Sequence, residues 1–210
     1  MQVTLYKNER LCREQLQMNI TPIFPTAFAQ IENPFLAHRV REQSHALVDA
    51  TGTSPFFAYP STFDPTTPEQ KLEPVLEEMR LHLHNLSVEF LSTIGYRTDL
   101  MQLSTQLVFN RMTTGDTHQK HLHAGIVCSG TFYIDFPQES APLVLHDPRL
   151  HRQMLPYPTD ATTYTQSKYT TNLRTGSICL YEGYLEHSVP QNNTDGRLVV
   201  LFNTINNTVS

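Results

Sequence analysis

From about residue 101 the chain breaks into short apolar segments with no long helical pattern between them. Residues 101–112, 129–136, 142–146, 177–181 and 197–203 are rich in Val, Ile, Leu, Tyr and Phe, and Gly, Pro, Asn or Asp bound them. Such spacing predicts antiparallel strands in a sandwich or barrel rather than a parallel sheet. The polar stretch 151–175, with Tyr157, Tyr164 and Tyr169, is expected to form a long loop or irregular hairpin.

Residues 33–98 read as helical. Asn33-Pro34 supplies a cap and a first-turn proline, and Phe35, Leu36, Val40, Leu47 and Val48 follow at helical spacing. A second helix has a capping-box start at Thr67-Pro68-Glu69-Gln70, with Pro74 as the other possible start. Leu72, Val75, Leu76, Met79, Leu83, Leu86, Phe90 and Leu91 give it one apolar stripe, and Gly95 ends it. These stripes need a sheet to cover. The expectation is therefore one domain over 1–210, with helical support at about 33–98 and a β core at about 101–205.

Composition narrows the function class. Hydrophobic residues make up 39% and charged residues 17%, which is too apolar for disorder, and no run of about 18 apolar residues could span a membrane. A net charge of −5 with scattered Lys and Arg gives no nucleic-acid footprint. The N-terminus lacks an apolar signal region, and the three cysteines form no C-x-x-C pair, so a cytoplasmic setting with reduced thiols is expected. The ten histidines are about twice the ordinary usage for this length.

Those histidines are not evenly informative. His38, His45, His82 and His84 fall in helical patterns and are assigned no chemistry, the His82/His84 pair reading as solvated surface. His121-Leu122-His123, if extended, puts two imidazoles on one face, because strand side chains alternate with period 2. A third ligand must come from elsewhere, and His187, just after the 177–181 strand and its turn, is the candidate. Arg197 opens the last apolar strand ten positions later. A buried arginine there demands an anion, which a carboxylate ligand would supply through a bidentate pair. A rim arginine on an internal salt bridge is the alternative.

The ordered set resembles the Fe(II)/2-oxoglutarate-dependent oxygenases, whose core is a double-stranded β-helix. More narrowly, it is similar to a group of them carrying H-x-H, then S-G-x-Y-Y, D-P-R, H and R. Here those pieces are His121-Leu122-His123, Ser129-Gly130-Thr131-Phe132-Tyr133, Asp147-Pro148-Arg149, His187-Ser188-Val189-Pro190 and Arg197-Leu198, closing on Phe202-Asn203. The likeness spans about 105–203. Gly115-Asp116-Thr117-His118 is similar to a G-D-x-Y that precedes the iron motif in the prolyl-hydroxylase-like branch, with His118 where that Tyr would stand.

The resemblance implies a fold that is mainly β with supporting helices, a jelly-roll, cupin-like core. It implies an oxygenase using Fe(II), 2-oxoglutarate and O2. His121, His123 and His187 would be the metal ligands. Arg197, Tyr133 and His118 would hold the co-substrate. Arg149, Tyr164 and Tyr169 would face a small-molecule or peptidyl substrate, hydroxylated with release of succinate and CO2. One departure matters: His123 stands where the wider superfamily has a carboxylate. A three-imidazole site is one reading; a carboxylate from Asp116, Asp135 or Asp147 is the second; a catalytically dead site is the third. Two other classes compete, a cupin-like three-His metal protein without 2-oxoglutarate (thiol-dioxygenase-like) and a non-catalytic ligand-binding β-sandwich.

Overall fold

The structure is a computed structural model, and it describes residues 24–50, 57–59, 72–149, 162 and 165–208. In chain order the elements are β1 (Phe28–Glu32), α1 (Pro34–Ala50), β2 (Phe57–Tyr59), α2 (Pro74–Thr93), a 3-10 turn (Thr98–Leu100), β3 (Leu103–Met112), β4 (His118–His121), β5 (Ile126–Asp135), β6 (Val144–His146), β7 (Lys168–Thr170), β8 (Ser177–Tyr181), β9 (His187–Val189) and β10 (Arg197–Asn206). A six-stranded sheet runs β1-β8-β5-β10-β3-β2 and a four-stranded sheet runs β4-β9-β6-β7. The pairs are antiparallel, as the short-strand texture predicts.

Period-2 alternation sorts the large sheet's side chains to two faces. Leu107, Phe109, Phe132, Ile178, Leu180, Leu198, Val200 and Phe202 face one way. There they join Leu36, Val40, Leu76, Met79, Leu83 and Leu91 of the helices in the main core. Tyr133, Cys179, Tyr181 and Val199 face the other way and pack with Leu143, Leu145 and Leu185 toward the small sheet. The helices brace one face, and the space between the sheets lies on the other. Gly130 is needed between the layers, because a Cβ there would sit 2.1 Å from Phe202 Cζ.

Asn33 caps α1 through Oδ1 to the Leu36 N–H at 3.0 Å. The second helix starts at Pro74; the capping box at Thr67 lies outside the described residues. Two of the helical histidines are more engaged than their positions implied. His84 is half-buried and its Nδ1 meets Thr105 Oγ1 at 2.9 Å. His45 joins Asp135 at 2.6 Å and Arg111 at 2.8 Å. No helix among the described residues is long and apolar enough to cross a membrane.

Candidate metal centre

His121 ends β4 and lies directly across from His187 at the start of β9, their ring centroids 4.4 Å apart. His123 is beyond the strand. The chain turns only after it, at Ala124-Gly125, closed by Ile126 N–H donating to the His123 carbonyl at 3.2 Å, and the His121 and His123 rings stack on one side, 5.2 Å apart, as period-2 alternation expects. The His123 N–H donates to the Gly183 carbonyl at 2.8 Å, which ties this turn to the one between β8 and β9. Gly183 makes that approach possible: a Cβ there would lie 2.2 Å from the Ile126 carbonyl oxygen. The three imidazoles converge, and their ligand atoms all lie within 4.8 Å of one another.

The outer ring nitrogens are all held by acceptors. His121 Nδ1 lies 2.7 Å from the Gln119 carbonyl, His187 Nδ1 2.9 Å from the Leu185 carbonyl, and His123 Nδ1 2.9 Å from Asn203 Oδ1. An Nδ1–H donated outward leaves Nε2 unprotonated, with its lone pair free for a metal. His187 Nε2 is buried without a hydrogen-bond partner among the described residues. Burial lowers the His187 pKa to about 4, against the pull of the Leu185 carbonyl, and the other imidazoles lower it further. Burial likewise lowers His123. His187 and His123 are therefore held toward the neutral form, which binds metal. Three imidazole donors suit a divalent first-row metal, and such a trio leaves coordination positions open.

The carboxylates considered as alternatives are engaged elsewhere. Asp116 accepts from the Thr113 N–H and hydroxyl in its own turn. Asp147 pairs with Arg149 at 2.8 Å. Asp135 pairs with Arg41 and His45 of α1, and the cause is a register shift. β10 residues Leu198 and Val199 face Asp135 and Tyr133, so Ile134 is the extra residue of a bulge. The bulge turns Asp135 from the inner face, where Tyr133 points, to the helix face.

A cavity of about 490 Å³ opens over the triad. Its wall includes His118, Thr131, Tyr133, Arg197 and Asn203 as well as the apolar Leu143, Val189, Val199 and Leu201. Arg197, Val199, Leu201 and Asn203 line it from alternate positions of β10. Arg197 is only 2% exposed. It is not the rim residue of the alternative reading, and it makes no salt bridge among the described residues. Its guanidinium carbon sits 5.4 Å from the Tyr133 ring centroid, and Nη1 meets Met112 Sδ at 2.9 Å. Arg197 Nε and the Tyr133 hydroxyl are buried with no hydrogen-bond partner among the described residues. Burial pushes the Tyr133 phenol upward, so it stays a neutral donor. A desolvated guanidinium beside an unused hydroxyl is a cradle for an anionic oxygen.

Of the other residues singled out by sequence, His118 reaches the cavity, where burial first and Arg197 second depress its pKa. Arg149 pairs with Asp147 at the surface and does not line the cavity. Tyr169 is exposed on β7 with its ring centroid 5.5 Å from that of Phe28, also off the cavity wall. Tyr164 lies outside the described residues. Sequence reasoning gave Asn203 and Ser129 no part, although both stood inside the quoted motifs. They are a cross-strand pair of β10 and β5, and the Ser129 hydroxyl donates to Asn203 Oδ1 at 2.9 Å.

Residues 106–203 match a family model described as "Putative 2OG-Fe(II) oxygenase". No curated protein is matched by the sequence. Among solved structures the chain is similar to a prolyl-4-hydroxylase from Pseudomonas putida, with 11% identity, a TM-score of 0.56 and coverage of 85% of this chain and 87% of that one. It is similar to HygX from Streptomyces hygroscopicus with nickel and 2-oxoglutarate bound, with 14% identity, a TM-score of 0.54 and coverage of 85% and 82%. It is also similar to the epimerase SnoN in complex with Fe3+, alpha ketoglutarate and nogalamycin RO, with 12% identity, a TM-score of 0.57 and coverage of 86% and 79%. At these identities the likeness is one of fold, a jelly roll.

Proposed function

From the premise that residues 106–203 carry the pattern of the 2OG-Fe(II) oxygenases, we propose that the protein is an Fe(II)- and 2-oxoglutarate-dependent oxygenase acting on a small molecule or a peptidyl side chain. The observation that carries this reading is the pairing of two unmet demands in one cavity. Three converging imidazoles offer donors to a cation, and one buried guanidinium lacks an anion. A cation and a dicarboxylate bound together would answer both.

In this reading His121, His123 and His187 hold the metal through Nε2. The Arg197 guanidinium takes the distal carboxylate of the co-substrate, and the Tyr133 hydroxyl donates to the same oxygen pair. His118 flanks the cavity as a neutral imidazole able to donate to the co-substrate or to water. Leu143, Val189, Val199 and Leu201 keep bulk water from the reacting centre. Iron and 2-oxoglutarate, when bound, supply a two-electron oxidation by O2 that releases succinate and CO2. Hydroxylation is the outcome proposed for the substrate.

The test is anaerobic addition of Fe(II) and then 2-oxoglutarate, followed by visible absorption. A metal-to-ligand charge-transfer band is expected in the wild type and is expected to be lost in Arg197→Ala and His187→Ala. Under O2 the loaded protein should convert 2-oxoglutarate to succinate. Metal binding with neither the band nor succinate would replace this reading with the three-His metal protein that uses no 2-oxoglutarate. Absence of metal binding would leave the non-catalytic β-sandwich.

A further inference from the structure

Two of the three acceptors that hold the imidazoles are backbone carbonyls, of Gln119 and Leu185, whose hydrogen-bonding sense cannot change. The third is a side-chain amide, Asn203, which has an acceptor end and a donor end. With Oδ1 toward His123, the ring carries its proton on Nδ1 and offers Nε2 inward. With Nδ2 toward it, the proton would have to sit on Nε2, and the ring could not ligate. The orientation present has Oδ1 between two donors, His123 Nδ1 at 2.9 Å and the Ser129 hydroxyl at 2.9 Å. Ser129 is fully buried and Asn203 lies opposite it on the neighbouring strand, so the amide is seated in the large sheet rather than in the loop that carries His123.

We propose that Asn203, seated by Ser129, is the positioning residue that makes His123 a metal ligand, and that it is why an imidazole can occupy the place of a carboxylate here. The proposal rests on the reading of the triad as a metal centre. His123 lies beyond the end of β4; its backbone is tied by its N–H bond to Gly183 and by the Ile126 N–H, and its ring by Asn203 at 2.9 Å, with the Ser129 hydroxyl farther from Nδ1 at 3.4 Å. Without the amide oxygen the ring loses both its orientation and its tautomer. A neutral acceptor also leaves the ligand shell without a formal negative charge. A carboxylate at position 203 would place a negative charge behind the ligating ring, hydrogen-bonded to Nδ1 rather than bound to the metal, and would make Nε2 a stronger donor.

The experiment measures Co(II) affinity of the metal-free protein by competition with a chelator, together with the visible ligand-field spectrum, so no turnover is needed. Asn203→Leu keeps the size and removes the acceptor; it is expected to weaken Co(II) about 10- to 100-fold and alter the spectrum. Asn203→Asp is expected to retain wild-type affinity or better, a rescue that loss of packing would not give. Ser129→Ala is expected to weaken binding by less than Asn203→Leu, and it carries the test if the leucine variant does not fold. Wild-type affinity and spectrum in Asn203→Leu overturn the proposal, as does equal loss in Leu and Asp, or wild-type affinity in Ser129→Ala when the leucine variant is unfolded. If the wild type itself binds no Co(II), the metal centre falls and this proposal falls with it.

Discussion

Arg197 sits in a position that a chain optimised for stability alone would not give to a cation. Its guanidinium is buried against Met112, Tyr133 and Phe136 and makes no ion pair among the described residues. Desolvation without a partner is unfavourable, and burial accordingly lowers its pKa. Arg197→Met should therefore stabilise the unliganded protein by about 1–3 kcal/mol, raising its Tm by roughly 2–4 °C per kcal/mol. The same variant should abolish 2-oxoglutarate binding. Differential scanning calorimetry and co-substrate titration on one preparation read both; a lowered Tm would mean that the guanidinium is already satisfied within the fold. This residue was legible in the sequence because an arginine opening a run of five apolar residues is a conflict between residue type and pattern. The acceptors behind His121 and His187 were not legible. They are backbone carbonyls, which every residue owns, so no side chain marks them.

At the scale of elements, the strands follow from alternation and the turns do not. The segments read at 177–181 and 197–203 became β8 and the first seven residues of β10, since their apolar residues match both faces of a covered sheet. The alternation argument held for the side chains at 121–123, whose rings stack 5.2 Å apart on one side, although β4 stops at His121 and a turn with Gly125 at φ +78° follows. What fixes His123 beyond the end of the strand is tertiary, the contact with the β8–β9 turn at Gly183. The bulge at Ile134 was equally hidden, since an extra residue in a strand changes register without changing composition. Gly183→Ala tests the turn-to-turn contact. Its methyl would meet backbone, not a mobile side chain, so the turns must separate, at a cost of about 1–3 kcal/mol. Urea unfolding should show that loss, and Co(II) affinity should drop at least about tenfold if His123 moves with its turn. Unchanged affinity would mean that Asn203 alone holds the ring.

For the molecule as a whole, the buried histidines make folding depend on pH. His187 titrates at about 4 in the fold against 6.5 for the free group, so between these values the unfolded chain binds the proton and the folded one does not. Stability of the metal-free protein therefore falls as pH drops through that window, by about 1.4 kcal/mol per unit at most and about 3 kcal/mol in all. His123 and His118 are shifted the same way and add to the slope. Urea midpoints from pH 8 to pH 4 should show the decline, and His187→Gln should remove part of it; a slope identical in the two proteins would sink this account. The two-layer β architecture was readable from strand texture. The helix-braced face and the cavity-bearing face were not separable until the pairing order was known, because that order decides which alternate positions look outward. In that order β10 lies between β5 and β3 and carries Arg197 at one end and Asn203 near the other. Amide protons of Val199, Val200 and Phe202 are thus shielded by the same ladder that spaces the two poles of the cavity. Their deuterium exchange should proceed only through opening of the whole sheet, so no partly unfolded form keeps one pole while losing the other.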